Sequence, residues 1–155
     1  MTKYTIKFKD DEQFYVEMEE DEVYEYDGTK YIFESQIKKT EDNNKIGYMN
    51  FNKKNGKIWL YKIEIDEDYR GKGIGSKMMK LLEYLASSQR CSSIEGKYYP
   101  TVNFGEHFYK KNGYSIEKDG YETEIFKYLD RDIYKKYEDN FQIEVAEEKE
   151  ENIEI

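Results

Sequence analysis

The sequence contains one cysteine, one histidine and no long apolar run. Because a disulfide needs two thiols, the single residue Cys91 excludes an internal disulfide, and it has no motif context as a nucleophile. No N-terminal apolar segment predicts a signal peptide or a membrane span, which favours the cytoplasm and no membrane partner. His107 is expected to be a solvated helix residue, and no metal is expected.

Positive charge is missing from one long stretch. Residues 10–27 contain ten acids and no Lys or Arg, and residues 144–155 contain six acids against Lys149. Residues 28–143, between these two stretches, carry 21 basic and 18 acidic side chains, a net charge of +3 in a chain of net charge -9. A locally basic centre suits an anionic cofactor and acidic flanks suit a cationic acceptor, although solubilising acidic runs explain the flanks equally well. The sequence has no basic stripe of the kind that binds nucleic acid, so no nucleic-acid partner is expected.

The length of 155 residues suits one domain with a real core and is too short for two. We predict a single domain over residues 1–143 and, because the following segment has few apolar residues, a disordered acidic tail over residues 144–155. Seventeen tyrosines and eight phenylalanines supply core volume, and tyrosine tolerates a half-buried sheet face. Monomer and homodimer both remain open.

The N-terminal half predicts a meander of β-strands. Apolar residues alternate along it, and Asp27-Gly28 and Asn55-Gly56 are hairpin signals. The predicted strands cover residues 5–8, 14–18, 23–26, 31–37, 46–52 and 57–65. Residues 10–27 fit a strand, although part of their pattern also fits a helix. The last of these strands is predicted to place four residues on one face: Trp59, Tyr61, Ile63 and Ile65.

The C-terminal half changes to a helical period. Apolar residues recur at helical spacing from Ile74 to Leu85, and Asn112-Gly113 is a helix C-cap signal. The predicted elements are helices at 75–89, 101–111 and 130–140 and strands at 92–96 and 121–129. The pattern as a whole predicts an α/β (α+β) fold with a strand-rich N-terminal half.

Residues 70–76, Arg-Gly-Lys-Gly-Ile-Gly-Ser, form a glycine-rich turn between a strand and a helix. Glycines let successive backbone N–H groups converge on an anion, and the N-terminus of the helix adds the positive end of its dipole. The turn therefore predicts a ligand that carries phosphates. Neither the dinucleotide fingerprint G-x-G-x-x-G nor the P-loop pattern G-x-x-x-x-G-K-[ST] is present.

The spacing Arg70-x-x-Gly73-x-Gly75 resembles the R/Q-x-x-G-x-G/A signature of the GNAT superfamily of acyl-CoA N-acyltransferases. The preceding strand and residues 66–69 are similar to the family's V-x-P-x-[YF]-R-G-x-G-[IL]-G passage. Further on, residues 107–114 resemble the family's F-Y-x-K-x-G-F helix end and turn. The resemblance covers about residues 45–129, somewhat more than half of the chain.

The resemblance implies a GNAT-like fold, with a mixed, mostly antiparallel central sheet of six to seven strands flanked by helices. It also implies transfer of an acetyl group from acetyl-CoA directly to a primary amine in a ternary complex. It implies that the coenzyme A pyrophosphate contacts the turn formed by Arg70, Gly71, Lys72, Gly73, Ile74, Gly75 and Ser76, with Lys77 a weaker candidate. It also implies that the strand through Ile63 and Ile65 separates from its neighbour, pairs with the pantetheine arm and offers an N–H to the oxyanion. As plain core, these two isoleucines would show the same pattern.

Tyr109 matches the tyrosine that protonates the coenzyme A sulfur in many relatives. A phenol suits this role because its reference pKa of about 10 is not far from that of a thiol, although a Phe-Tyr pair on a helix also suits core packing. The general base is less defined. Glu95 and Glu64 are both candidates, and the position of a glutamate in some protein-acetylating relatives aligns with Trp59.

The acceptor is not readable from the sequence. A polyamine-like or other small cation suits the acidic flanks, and a protein amine suits an open site. The family's one or two helices between the first two strands have no convincing counterpart in residues 10–27, which favours a more open acceptor side. A catalytically inactive coenzyme A-binding or protein-interaction module on the same fold remains the alternative.

Overall fold

The computed structural model of the protein describes residues 1–98 and 104–147. These residues form nine strands: β1 (Thr2–Phe8), β2 (Asp11–Glu25), β3 (Gly28–Lys39), β4 (Lys45–Lys54), β5 (Lys57–Ile65), β6 (Ser93–Tyr98), β7 (Ser115–Asp119), β8 (Glu122–Tyr128) and β9 (Phe141–Glu147). The α-helices are α1 (Ile74–Ser88), α2 (Glu106–Lys111) and α3 (Ile133–Tyr137), with short 3-10 turns at Glu67–Tyr69 and Glu138–Asn140. The strands form one sheet in the order β7-β8-β6-β5-β4-β3-β2-β1-β9.

The mixed α/β fold is confirmed, with more strands than predicted. Only the β5–β6 pair is parallel among the described neighbours, and the others are antiparallel. The undecided residues 10–27 lie in β2 and its turn. Both predicted hairpins are present: Glu25 pairs with Gly28, and Asn55 and Gly56 have φ values of 52° and 73°. Positive φ at two successive turn residues matches the right-handed twist of the flanking strands.

The predicted strands at 14–18 and 23–26 are both part of β2, and two edge strands, β7 and β9, add to the predicted set. The sequence analysis missed β7, and it assigned most of β9 to a disordered tail. Residues 144–147 instead pair with β1, so that prediction is wrong for them, and residues 148–155 lie outside the described residues. The reason lies in contacts between the two ends of the sequence: β9 covers the edge of β1, and the ring of Phe141 contacts that of Phe8 at 5.5 Å between centroids.

The prediction that Trp59, Tyr61, Ile63 and Ile65 share one face of β5 is wrong, because the strand is irregular at its centre. Phe51 pairs with Leu60 and Asn50 with Lys62, so Tyr61 is an extra, unpaired residue in the β4–β5 ladder. Such a bulge breaks the two-residue alternation of side chains. Ile63 and Ile65 therefore share their face with the buried Ile58 and Leu60, while Trp59 and Tyr61 are only half-buried and exposed, respectively.

The sheet has two unlike faces. The helix-bearing face carries the buried Ile58, Leu60 and Ile94, which belong to one hydrophobic core with α1. The apolar stripe predicted for α1 is buried at all five of its residues, which are Ile74, Met78, Leu81, Leu82 and Leu85. The open face carries Trp59 and Glu95, which are paired in register. Along their strands they alternate with the residues that point into that core. Helix α3 packs on α1. None of the helices in the described part of the chain is long and apolar enough to cross a membrane.

Two of the three predicted helices are shorter in the structure. Helix α2 begins at Glu106, and residues 101–103 of the predicted helix lie outside the described residues. The predicted helix at 130–140 is five residues of α3 followed by a 3-10 turn. The cap at Asn112-Gly113 is confirmed, since Gly113 has φ 90° and the Tyr114 N–H donates to the Tyr109 carbonyl at 3.0 Å.

Candidate active site

The glycine-rich turn leads directly into α1. Gly71 and Gly73 have φ values of 75° and 79°, a left-handed conformation that L side chains rarely adopt. Gly73 precedes the first helical residue, no side chain caps the helix N-terminus, and its first turn holds no acid. The free backbone N–H groups and the helix dipole thus face a cavity of about 280 Å³ that the turn lines together with Phe108 and Lys111. This geometry fits an anionic group.

Gly75 serves a different purpose from the other two glycines. A Cβ built there would lie 2.5 Å from the ring of Phe104 and 3.1 Å from that of Phe108. The third glycine therefore allows the α2 region to pack closely against the start of α1. Ser76 follows Gly75 in the first turn of α1, and its hydroxyl accepts a hydrogen bond from the Asn112 side-chain amide at 3.3 Å.

The three cations near the turn have different partners. The Arg70 Nε donates to the Ile65 carbonyl at 2.9 Å, so this side chain connects the turn to the end of β5. The Lys72 ammonium lies 5.3 Å from the centre of the Tyr69 ring. The Lys77 ammonium donates a hydrogen bond to the Asp11 carboxylate at 2.9 Å, and this negative charge offsets much of the positive charge that Lys77 brings to the turn. The weaker standing of Lys77 in the sequence analysis agrees with this ion pair.

The parallel strands β5 and β6 separate beside this turn. Their register runs from Lys57 opposite Ser93 to Leu60 opposite Gly96 and ends there, although β5 continues to Ile65 and β6 to Tyr98. The bulge at Tyr61 coincides with the last paired residues. The strand separation expected at Ile63 and Ile65 is thus present, and both side chains lie in the buried core of the helix-bearing face.

Tyr109 lies on α2 and is 4% exposed. Its ring stacks on Tyr98, the last residue of β6, at 5.1 Å between centroids and 25° between planes. Burial, and then the neighbouring Tyr98, raise the pKa of the Tyr109 hydroxyl well above its ordinary value of 10. The phenol therefore stays protonated at neutral pH.

The two candidate bases have different surroundings. Glu64 accepts a hydrogen bond from the Tyr48 hydroxyl at 2.7 Å, and this bond, with the nearby Lys62, lowers the pKa of its carboxyl. A lowered pKa makes Glu64 a poorer base. Glu95 pairs in register with Trp59, one residue before the strands separate, and its carboxylate lies 3.8 Å from the Lys57 ammonium. Its position beside the end of the β5–β6 pairing favours Glu95.

Glu95 and Tyr109 lie on opposite faces of the sheet. Tyr109 is on the helix-bearing face, whereas Glu95 lies on the open face. A cavity of about 590 Å³ on the open face is lined by two aromatic rings and three carboxylates, from Trp59, Phe126, Glu95, Glu117 and Glu124, and by no Lys or Arg among the described residues. An amine and a thiol leaving group could thus be served from different sides.

Comparison with known proteins decides the family. The sequence model of the acetyltransferase (GNAT) domain matches residues 10–116, more than half of the chain. The chain belongs to the GNAT acetyltransferase family. Solved GNAT structures share its fold at low identity. The PaiA N-acetyltransferase of Thermoplasma acidophilum, solved in complex with coenzyme A, has a TM-score of 0.57 and 21% identity over 63% of this chain and 61% of that chain.

Two further proteins are similar to this chain. A putative acyl-CoA N-acyltransferase of Klebsiella pneumoniae has a TM-score of 0.58 and 19% identity over 64% of this chain and 73% of that one. A spermine/spermidine N(1)-acetyltransferase of Bacillus subtilis is 50% identical over 42 residues, 26% of this chain. That match spans only about 28% of the relative's own length.

Three residues of this GNAT site were missed by the sequence analysis. Lys111 lines the phosphate-side cavity, Tyr98 supports Tyr109, and Phe104 packs where Gly75 has no side chain. Lys111 was visible as a cation in the second motif. Tyr98 contacts Tyr109 and Phe104 lies beside Gly75, so both contacts join different elements of the fold. No pattern within one segment predicts them.

Proposed function

We propose that the protein transfers an acetyl group from acetyl-CoA to a primary amine, by direct transfer in a ternary complex. The observation that carries this proposal is the opening of the parallel β5–β6 pair next to an uncapped helix N-terminus. The opening leaves backbone groups of β5 available to an extended arm, and the N-terminus of α1 suits the pyrophosphate. A structural neighbour crystallised with coenzyme A supports the same donor.

The donor side of the site is assigned to the residues of the turn. The backbone from Arg70 to Ser76 would hold the pyrophosphate, and Lys72 and Lys111 would add positive charge near it. Ile63 and Ile65 would border the arm, and a β5 N–H would stabilise the negative charge that develops on the acetyl carbonyl oxygen.

Proton transfer is assigned to two residues on opposite faces. An alkylamine with a pKa near 10 is protonated at neutral pH, so a carboxylate must accept a proton before attack. Glu95 is the proposed base because it lies beside the opening on the open face. Tyr109 is the proposed acid, because a buried neutral phenol next to the opening can donate a proton to the departing thiolate.

The acceptor is proposed to be a small cationic amine. Its cavity on the open face has two aromatic rings and three carboxylates, a combination that attracts organic cations. The short match to a spermine/spermidine acetyltransferase supports a polyamine. A protein amine is the other candidate, since no helix covers the open face beside this cavity in the described residues.

An amine panel tests the proposal. Purified protein is incubated with acetyl-CoA and either spermidine, a lysine-containing peptide or buffer alone, and released thiol is measured. We expect thiol release that depends on spermidine. Glu95→Gln should lower this rate, whereas Glu34→Gln, an exposed carboxylate on the same sheet face, should leave it unchanged. Tight acetyl-CoA binding without turnover of any amine would instead support the inactive binding module.

A further inference from the structure

An ion pair lies beneath α1 and takes no part in the proposed chemistry. Glu83 of α1 is 2% exposed and pairs with Lys127 of β8. Burial raises the pKa of the Glu83 carboxyl, and the hydrogen bond and charge of Lys127 oppose this rise. Because apolar residues of similar size often stabilise a core as well as a buried ion pair does, stability alone does not account for this pair.

Lys127 also holds the end of the helix that carries Tyr109. Its ammonium donates a hydrogen bond to the Asn112 carbonyl at 2.9 Å, where α2 ends, and lies 5.4 Å from the centre of the Tyr114 ring. A cation is favourable at a helix C-terminus. Helix α2 has only six residues, and helices this short depend on tertiary contacts for their stability and orientation.

Asn112 connects the same point to the phosphate-binding turn. Its side-chain amide donates to the Phe108 carbonyl at 2.8 Å and to the Ser76 hydroxyl at 3.3 Å. The chain of contacts therefore runs from Glu83 through Lys127 and Asn112 to Ser76. Tyr109 follows Phe108 directly, so the contacts that hold the end of α2 also set the place of its phenol.

We propose that Lys127 is a positioning residue that, through Asn112, fixes the Tyr109 hydroxyl relative to the turn that binds the donor. The kinetic part of this proposal rests on the proposed function, whereas the structural part rests on the contacts alone. Misplacement of a reacting group by about 1 Å can cost about a hundredfold in rate. Loss of the Lys127 ammonium should therefore reduce kcat far more than donor affinity.

The experiment removes the ammonium without leaving a lone buried charge. Lys127→Met keeps an unbranched apolar stem, and the double variant Glu83→Gln with Lys127→Met also neutralises the partner. Lys38→Met, which removes a lysine from an ion pair with Glu17 on the open face, is the matched control. We expect the double variant to fold, to bind acetyl-CoA within about twofold of wild type and to lose at least about tenfold in kcat.

A spectroscopic readout tests the positioning without turnover. In protein labelled with 3-fluorotyrosine, the ¹⁹F resonance of Tyr109 is the one that disappears in Tyr109→Phe. This resonance should shift or broaden in the double variant but not in Lys38→Met. Asn112→Ala should move it too. An unmoved Tyr109 resonance, or a kcat within about twofold of wild type in an active enzyme, overturns the proposal. A wild-type protein without amine-dependent turnover contradicts the proposed function alone.

Discussion

Replacing Gly73 with aspartate tests the phosphate-binding turn most directly, because a neutral variant of almost the same shape is available. Gly73 has φ 79°, and an added Cβ meets no atom within 4 Å. Asp and Asn are among the residues that tolerate this left-handed conformation best. Gly73→Asp and Gly73→Asn therefore share the same space and nearly the same strain, and they differ by one negative charge.

The expected effect follows from that charge. Two like unit charges about 4 Å apart repel by about 1 kcal/mol in water and about 4 kcal/mol at the effective dielectric constant of a protein surface. Since 1.4 kcal/mol is tenfold in affinity, the Kd for acetyl-CoA should rise about 5-fold to 1,000-fold in the aspartate variant relative to the asparagine variant. The shared backbone strain of about 1 kcal/mol should lower both Tm values by a few degrees.

Titration calorimetry with acetyl-CoA measures both variants at low and at high salt. The gap between their Kd values should narrow with added salt, because ions screen partly exposed charges. Thermal unfolding confirms that both variants are folded. If the two folded variants bind acetyl-CoA equally well at low salt, the pyrophosphate does not lie at this turn, and the assignment of residues 70–76 is wrong.

Three further predictions concern other parts of the molecule. Tyr109→Phe should lower kcat about a hundredfold with the acetyl-CoA Kd within about twofold, and an unchanged kcat would leave the phenol only its stacking role on Tyr98. A chain that ends after Ile143 should melt several degrees lower than one that ends after Glu147, because it loses four of the seven residue pairs between β9 and β1. Lys110 and Lys118 lower the pKa of the Glu106 carboxyl to about 2, so its contribution to stability is present above about pH 4.5 and is lost as the pH falls towards 2. Glu106→Gln should therefore have a flatter dependence of Tm on pH over that range than wild type, and a Tm curve parallel to that of wild type would contradict this.

Local signals in the sequence predicted much of the fold. Turn residues at Asp27-Gly28 and Asn55-Gly56 require conformations that few other residues adopt, so the hairpins could be located before the structure. The helical stripe of α1 and the glycines before it are likewise local patterns. They located the glycine-rich turn at residues 70–76, because backbone conformation there depends on residue type within a few positions.

Features that depend on distant segments could not be predicted. The bulge at Tyr61 follows from the register between β4 and β5, and the sequence of β5 alone reads as plain alternation. The pairing of residues 144–147 depends on the free edge of β1, more than 130 positions away in the chain. The contact between Glu83 and Lys127 joins a helix and a strand whose own patterns give no reason to pair them.

The absence of a covering helix on the open face has a consequence for specificity under the proposed function. Strand β2 turns directly into β3 at Tyr26 and Asp27, and residues 1–66, all of them described, contain no helix. An acceptor at the open face therefore meets sheet side chains on one side and solvent on the other. A compact monoamine would gain little there beyond one ionic contact with Glu95. A linear polyamine can place further ammonium groups near the other carboxylates of the cavity, so the number and spacing of its charges should govern KM.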